Sequence, residues 1–538
     1  MNSILDRLTE RQCETLKAYV NNEQPFGPEN AKLVKDDYSR FVLFNDDNVF
    51  SQEYRSNPRI IIGRRGSGKT TITSNTKFID EHTYILNVQP EEALATIQAI
   101  AFPNKGADGQ YVESIAKIWK VFFNTLLMVE LCKKHPGAKL SPIKKYLAQT
   151  KIPIESTLVG VMGAFRNKAE NLGNGVASFV ISAFLEALNN SDSGYVPAKD
   201  ELDRYLSESD ETAIIIIDSI EDYHLSIPEK KHVMGGLLKC VGEFGDQRRS
   251  IRLCLPAESY FEVRKCSKNP LKDFNRNLLL QWLASEIFGV IAWRYQIFNR
   301  LYDRTTYDKL KLNGYDRSGS LKTIHSLLPQ SLTNGIGLEE PTITYLMRHT
   351  QLLPRQAILI LNTMFYRANG KLGGLSQVSG QDIVRAITSV ESTLCEEVFT
   401  AYEHKYPLAY ELAKNCLPEL HRTFSDGDLH RVYNRHGKVV FDKANEELDF
   451  REFKTMLVEI GAVGRVKNRT GIYAESEFEY AMPGRLSLSV EDELCLHPIF
   501  SGEFSSSKNS SNGFVVYPQK EWVEGESGRS LRITIGDR

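Results

Sequence analysis

Residues 60–71 carry the pattern that most constrains this chain: an apolar run, a glycine-rich turn, a lysine and two threonines. The segment reads IIIGRRGSGKTT and fits the phosphate-binding pattern GxxxxGK[ST] without a mismatch. The isoleucines predict a buried strand, and the glycines allow backbone N–H groups to turn toward an anion. The residues after Lys69 predict a helix whose amino end faces that anion. The pattern therefore predicts an α/β fold with a P-loop and a parallel sheet.

Each residue type in this loop has an expected role. Lys69 is expected to hold the β- and γ-phosphates of ATP. The Thr70 hydroxyl is expected to bind Mg²⁺, because a small hydroxyl in the first helical turn reaches the ion that the triphosphate carries. The predicted nucleotide-binding residues are Gly63, Arg64, Arg65, Gly66, Ser67, Gly68, Lys69, Thr70 and Thr71.

A second motif, at residues 214–222, supplies an acid. Four isoleucines precede Asp218, and such a run predicts a strand that is buried on both faces of a parallel sheet. Ligands bind at the carboxyl edge of such a sheet, so Asp218 is predicted to orient Mg²⁺ through water. The alternative is a buried strand that merely ends at an aspartate, and the P-loop upstream argues against it.

The remaining periodicity predicts several domains in the 538 residues. Strands at 84–88, 251–256 and 278–282, separated by helices, complete a parallel sheet with helices on both faces. Three helices at 406–420, 426–436 and 449–461, then strands at 463–466 and 472–480 around a turn at 467–471, predict a winged helix. The predicted domains are a helical lead-in (1–58), a P-loop core (59–283) with a large helical insertion (about 100–205), a helical lid (284–396), a winged helix (397–502) and a tail (503–538).

Composition excludes some classes of protein. The formal net charge is −2, so any nucleic-acid contact must be local. The eight cysteines include no CxxC pair, which favours thiols over a zinc site. Nowhere do enough apolar residues follow one another to span a membrane. The chain is predicted to be cytoplasmic, with no membrane partner.

Taken together, the motifs resemble those of AAA+ ATPases of the origin-recognition-complex type and of STAND signalling ATPases. GRRGSGKT, IIIIDSIED, LPRQAI and the closing LHPIF are most similar to bacterial P-loop ATPases of genomic islands, several of which serve in antiphage defence. The resemblance implies that Arg355, on the first turn of a lid helix, reaches the γ-phosphate. It also implies that Arg248 and Arg249 lie where an arginine finger points into a neighbouring subunit. A solvated helix end is the alternative for that pair.

One departure from the AAA+ pattern bears on the rate of hydrolysis. Ser219 follows Asp218, where those enzymes usually place the glutamate that activates water. The next acids are Glu221 and Asp222, a spacing more similar to STAND proteins. Glu221 is predicted to be the catalytic base, with Asp222 in reserve. A slow nucleotide switch is therefore expected.

Three functions are compatible with these motifs. The first is an ATPase, with ATP and Mg²⁺ as cofactors, that forms a homo-oligomer and regulates a separate effector protein in antiphage defence. The second is a DNA-binding ATPase for replication or transposition loading. The third is a scaffold that binds ATP without turnover. The effector and the defence role follow from the resemblance alone.

The predicted winged helix has a mixed charge pattern. Its third helix carries three acids against two bases, which is poorly suited to phosphate contact. The turn of the hairpin is basic, with Arg465, Lys467 and Arg469 close together. Either a weak, sequence-independent DNA contact or an ordinary solvated hairpin fits this cluster, and protein docking is the favoured role of the domain.

Overall fold

The computed structural model describes residues 4–30, 58–74, 83–102, 111–170, 194–218, 227–245, 248–310, 317–369, 378–444, 447–481, 486–504 and 514–518, with the single residues 186, 220, 225 and 484. They divide into two compact units. The sheet unit holds residues 58–63 and the described residues from 83 to 280. The P-loop unit holds residues 4–30 and 64–74 and the described residues from 281 to 518.

The strands are β1 (Ile60–Gly63), β2 (Thr83–Val88), β3 (Thr212–Ile217), β4 (Arg249–Pro256), β5 (Asn277–Leu280), β6 (Ser331–Thr333), β7 (Glu339–Pro341), β8 (Thr423–Phe424), β9 (Val463–Thr470), β10 (Tyr473–Glu477), β11 (Leu494–Leu496) and β12 (Val515–Tyr517). The helices before residue 280 are α1 (Glu10–Leu16), α2 (Lys69–Ser74), α3 (Pro90–Ala101), α4 (Val112–Lys134), α5 (Ser141–Gln149), α6 (Leu158–Glu170), α7 (Tyr195–Glu208), α8 (Pro228–Glu243), α9 (Tyr260–Lys265) and α10 (Pro270–Asp273). Those after it are α11 (Ala284–Tyr302), α12 (Arg304–Leu310), α13 (Arg317–His325), α14 (Thr342–Arg348), α15 (Pro354–Asn369), α16 (Gly380–Tyr402), α17 (Ala409–Cys416), α18 (Asp426–Val432), α19 (Lys438–Ala444), α20 (Phe450–Ile460) and α21 (Pro498–Phe504). Among the described helices, none is both long and apolar enough to cross a membrane.

The sheet unit is built on a five-stranded sheet with the order β2-β3-β4-β1-β5. Each neighbouring pair is parallel, so the chain has the predicted α/β fold with a parallel sheet. Ile214 to Ile217 are all buried, as four successive isoleucines predict. Strand β4 pairs with both β1 and β3 and therefore separates the P-loop strand from the acid-bearing strand. This strand order is not visible in the sequence.

The helices of the sheet unit pack closely on one another. Helices α3 to α7 lie between β2 and β3 in the chain, where the sequence predicts the helical insertion. Helix α8 packs on α4, and a Cβ atom at Gly236 would lie 2.5 Å from the Ile115 side chain. Trp119 Nε1 donates to the Val233 carbonyl at 3.4 Å. Glycine at position 236 therefore sets how closely the two helices approach.

In the P-loop unit, the amino-terminal segment is bound to the helices that follow the sheet. The Arg294 guanidinium is buried and donates to the carbonyls of Phe26 and Pro28 at 2.7 and 2.9 Å. The Asn362 side chain accepts from the Phe26 N–H and donates to the Gly27 carbonyl. The segment thus packs as part of the helical layer that the sequence assigns to a lid.

We call the described residues from 409 to 518 the C-terminal module. It contains α17, α18 and α20, followed by the antiparallel hairpin of β9 and β10. The predicted turn at 467–471 is wrong, because β9 continues to Thr470. Ion pairs from Arg465 and Lys467 to Glu477 extend the pairing of the two strands. The assignment of this module as a winged helix stays a prediction.

Part of the predicted tail belongs to this module. Residues 515–517 form β12, which pairs in parallel with β10, and the Tyr517 hydroxyl donates to Glu340 at 2.9 Å. A β-branched and aromatic run is suited to a strand. The polar residues around it concealed this signal in the sequence.

One carboxylate of the P-loop unit is buried away from water. Glu391 on α16 is 8% exposed, and its carboxylate packs against Gly502. Burial raises the pKa of Glu391 to about 7, while the Arg348 guanidinium opposes this rise. Burial also lowers the pKa of His349, which lies 3.7 Å from Glu391, well below its usual value. Near pH 7 the imidazole is therefore neutral.

This burial predicts a pH-dependent stability. The folded pKa of Glu391 exceeds its ordinary value of 4.5, so its contribution to stability is complete below about pH 4.5 and is lost as the pH rises through 7. We expect Glu391→Gln to be more stable relative to wild type at pH 8 than at pH 5, by up to about 3 kcal/mol. Chemical denaturation at both pH values measures the difference. Glu411→Gln, at an exposed site on α17, is the control. If the two variants show the same change in unfolding free energy between pH 5 and pH 8, relative to wild type, burial of Glu391 does not cause the effect.

Candidate nucleotide-binding site

The P-loop has a backbone shape suited to a phosphate group. Gly66 and Gly68 have φ values of +83° and +93°, a left-handed conformation that side-chain-bearing residues rarely adopt. Such turns direct backbone N–H groups into one concavity. Ser67 between them is buried, and its Oγ has no hydrogen-bond partner in the described part of the chain. The loop therefore presents a polar atom that a phosphate oxygen could satisfy.

Lys69 begins helix α2 directly after the glycine-rich turn. The residue is 5% exposed, and its Nζ donates to the Arg64 carbonyl at 3.2 Å. The Ser67 N–H donates to the same carbonyl at 3.0 Å. Thr70 and Thr71 follow in the first turn of α2. The ammonium is thus held at the rim of the loop by a neutral carbonyl, which a phosphate can replace as its partner.

Trp282 supports the loop, a role that sequence reasoning missed. Its Nε1 donates to the Ser67 carbonyl at 2.7 Å, and a Cβ atom at Gly68 would lie 4.0 Å from its ring. The fifth strand predicted from the sequence extends to Trp282, whereas β5 ends at Leu280. No local pattern marks this tryptophan, because its partner lies far away in the chain.

Arg355 packs directly on the loop. It is in the first turn of α15, and a Cβ atom at Gly66 would lie 3.2 Å from the Arg355 Cβ. Its guanidinium Nη2 lies 3.0 Å from the Glu397 carboxylate on α16. Burial raises the pKa of Glu397 above its ordinary value, and the charges of Arg355 and Arg65 oppose this rise. The structure therefore brings the predicted lid arginine to the P-loop and gives it an acidic partner that the sequence did not reveal.

Asp218 lies at the carboxyl edge of the parallel sheet. Asp218 follows the last residue of β3, and Gly63 is the last residue of β1. Both strands run in the same direction, so their carboxyl ends share one edge. The Asp218 carboxylate is an oxygen ligand of the kind that Mg²⁺ prefers. In the described part of the chain, no three His, Cys, Asp or Glu side chains form a metal-binding group. The predicted bases Glu221 and Asp222 lie outside the described residues.

Arg248 and Arg249 lie at the opposite edge of the sheet. Arg249 is the first residue of β4, and its Nη1 lies 2.7 Å from Asp203 Oδ1 and 3.2 Å from Asn124 Oδ1. Arg248 Nη2 lies 3.8 Å from Asp210. Both cations therefore have acidic neighbours in their own sheet unit. Their arginine-finger role stays a prediction, and Arg249 would have to leave Asp203 to fulfil it.

The basic cluster of the hairpin is matched by carboxylates. Arg465 and Lys467 lie 2.8 and 2.6 Å from the two oxygens of Glu477. Arg469 donates from Nε to Glu493 at 2.8 Å. These partners reduce the positive charge that the hairpin can offer to a phosphate backbone. The DNA role of the three residues stays a prediction.

The chain was compared with known proteins. No family model and no curated protein matches it. The solved structures similar to it include the Aeropyrum pernix ORC2 protein in ADPNP-ADP complexes, at 13% sequence identity and a TM-score of 0.35, covering 82% of this chain and 84% of that chain. The Aeropyrum pernix ORC1 protein in complex with DNA is 12% identical, with a TM-score of 0.30, covering 95% of this chain and 94% of that chain.

The ion pair between Arg355 and Glu397 generates a prediction. If Arg355 must leave Glu397 to reach a γ-phosphate, Glu397→Gln should strengthen the binding of an ATP analogue. A partly exposed ion pair contributes about 0.2–1 kcal/mol, so the expected gain is roughly 1.4-fold to fivefold in affinity. The affinity for ADP, which has no γ-phosphate, should change less. Titration with fluorescent ATP and ADP analogues measures both.

Glu396→Gln is the matched control for this prediction, because Glu396 is the exposed neighbour on the same helix. It should leave both affinities unchanged. Weaker or unchanged binding of the ATP analogue by Glu397→Gln would contradict the proposed competition for Arg355.

Proposed function

We propose that the chain is an ATP-binding ATPase of the AAA+ type. The observation that carries this proposal is the P-loop itself, with two left-handed glycines, a buried Lys69 and Arg355 packed on Gly66. The backbone N–H groups and the lysine would bind the β- and γ-phosphates. Arg355 would sense the γ-phosphate from the first turn of α15. The parallel sheet and its strand order support the same class.

Mg²⁺ is the proposed second cofactor. The ion would neutralise charge that develops between the β- and γ-phosphates. Thr70 would contribute its hydroxyl from the first turn of α2, and Asp218 would act from the carboxyl end of β3. A hydroxyl and a carboxylate are oxygen ligands of the kind that Mg²⁺ prefers, and this supports the proposal.

Turnover is proposed to be slow. Ser219 stands where a catalytic glutamate would follow the acid of β3, so activation of water falls to Glu221 or Asp222. A slow ATPase is suited to a switch, since the bound state then lasts long enough to act on a partner. We propose that the bound state governs homo-oligomer assembly and the regulation of a separate effector protein. The proposed setting is the cytoplasm, in antiphage defence, and the resemblance of the motifs supports that setting.

A protein partner is proposed in preference to DNA. The cations of the hairpin are matched by Glu477 and Glu493. On helix α20, Lys454 lies 2.5 Å from Asp426, and Glu459 accepts from Lys405. The charges of this surface are therefore largely balanced within the chain. Balanced charge lowers the electrostatic attraction that non-specific DNA binding requires.

Lys69→Ala tests nucleotide binding directly. The substitution removes the cation aimed at the β- and γ-phosphates, at a cost of about 2–3 kcal/mol, so affinity for an ATP analogue should fall roughly a hundredfold. Calorimetric titration measures the affinity, and circular dichroism checks the fold. Lys265→Ala, at an exposed site on α9, should bind as wild type does. Wild-type affinity in folded Lys69→Ala protein would overturn the proposal.

Glu221→Gln tests the assignment of the base. A general base contributes about 10² to 10⁴ in rate and little to ground-state binding. The variant should therefore keep its affinity for ATP and lose most of its turnover in a phosphate-release assay. Asp222→Asn is the matched control and should retain most of the rate. Full turnover by Glu221→Gln would show that another group activates the water.

A further inference from the structure

Arg64 is the first residue after the P-loop strand, and its side chain contacts the C-terminal module. The residue is 8% exposed. Its Nη2 donates to Gln351 Oε1 at 2.5 Å, and its guanidinium carbon lies 5.3 Å from the centre of the Tyr480 ring. The sequence places Arg64 among the predicted nucleotide-binding residues, but the loop pattern accepts any residue at this position, so these contacts were not predicted. All of these contacts lie within the P-loop unit.

The backbone of Arg64 is part of the phosphate-binding turn. Its carbonyl accepts from Lys69 Nζ at 3.2 Å and from the Ser67 N–H at 3.0 Å. A phosphate that draws the Lys69 ammonium toward itself therefore changes the surroundings of the Arg64 peptide group. The position of that peptide group is also set by its buried side chain.

Gln351 continues the connection to helix α20. Its Nε2 donates to the Ile460 and Gly461 carbonyls at 3.2 and 3.3 Å. These carbonyls lie at the carboxyl end of α20, where Gly461 takes a left-handed conformation with φ +78°. One amide side chain thus accepts from the P-loop arginine and donates to the end of a helix in the C-terminal module.

Tyr480 gives the second connection. Its ring stacks under the Arg64 guanidinium and against Gly461, where a Cβ atom would lie 2.8 Å from the ring. Its hydroxyl lies 2.9 Å from Nε2 of the buried His497. Burial, and then the charge of Arg64, lower the pKa of His497 to about 3. The imidazole is therefore neutral and adds no positive charge beside the Arg64 guanidinium, which lies between the Tyr480 ring and the Gln351 amide oxygen.

We propose that Arg64 is a positioning residue that couples nucleotide at the P-loop to the docking of the C-terminal module. Gln351 and Tyr480 fix the Arg64 side chain, and this holds the first peptide of the loop in the shape that binds phosphate. Because coupling is reciprocal, a change at Tyr480 alters nucleotide affinity, and nucleotide stabilises the end of α20. This coupling rests on the proposed nucleotide binding. It adds the contacts through which bound nucleotide affects the C-terminal module.

A double-mutant cycle on the full chain tests the coupling, with ATPγS and Mg²⁺ as the probe. Tyr480→Leu removes the stacking face and should weaken binding at least about fivefold, the lower end of usual coupling. Tyr480→Phe keeps the face and should bind as wild type does. In an Arg64→Met background, Tyr480→Leu should have no further effect. Tyr473→Leu changes a ring on β10 of the same module that packs against Tyr517 instead, and it should bind normally.

Hydrogen exchange on the wild-type protein gives a second readout that requires no variant. ATPγS should slow exchange at residues 456–463 and 478–481 and leave residues 126–134 of α4 unchanged. If wild type does not bind ATPγS, the proposed function fails. If it binds, and Tyr480→Leu matches Tyr473→Leu or exchange at 456–463 does not change, the coupling alone is wrong. Should Tyr480→Leu not fold, the exchange result decides.

Discussion

The missing side chains at Gly66 and Gly68 are the constraint on which the candidate site depends. Both residues hold φ values near +90°, and a Cβ atom at Gly66 would lie only 3.2 Å from the Arg355 Cβ. The loop is therefore shaped by its own backbone and covered at Gly66 by α15. Any larger residue at either glycine would strain the backbone, and at Gly66 it would also press on Arg355. Phosphate binding and the packing of the helical layer thus share one physical requirement.

Three cations of the P-loop unit lie in or beside this loop. Lys69 rests on a neutral carbonyl, Arg355 on the Glu397 carboxylate, and Arg64 on an amide and an aromatic ring. A polyphosphate can replace the Arg64 carbonyl beside Lys69 and the Glu397 carboxylate beside Arg355, whereas the side chain of Arg64 keeps its contacts. Loss of the Glu397 pair alters contacts between α15 and α16, and movement of Lys69 affects the residue that contacts the C-terminal module. A chemical event at one loop can in this way become a change in protein surface.

Local patterns predicted the elements that carry chemistry, and they did so for physical reasons. Four successive isoleucines can only be buried, and a glycine-rich loop before a lysine and a hydroxyl has few other uses. The partners of these residues could not be predicted in the same way. Gln351 is separated from Arg64 by 287 positions, and Glu397 is one of several acids on α16. The pairing of β12 with β10 was not predicted for the same reason, because a three-residue strand is defined only by the strand with which it pairs.

A structure of the full chain determined with ATPγS and Mg²⁺ would show whether Lys69 and Arg355 exchange their present partners for phosphate. We expect phosphate on the backbone N–H groups of residues 66–70, with Lys69 Nζ moved from the Arg64 carbonyl to the β- and γ-phosphates. We also expect that Arg355 leaves Glu397 for the γ-phosphate while Arg64 stays between Gln351 and Tyr480. Nucleotide bound elsewhere, or Arg355 still paired with Glu397 beside an occupied loop, would contradict this expectation.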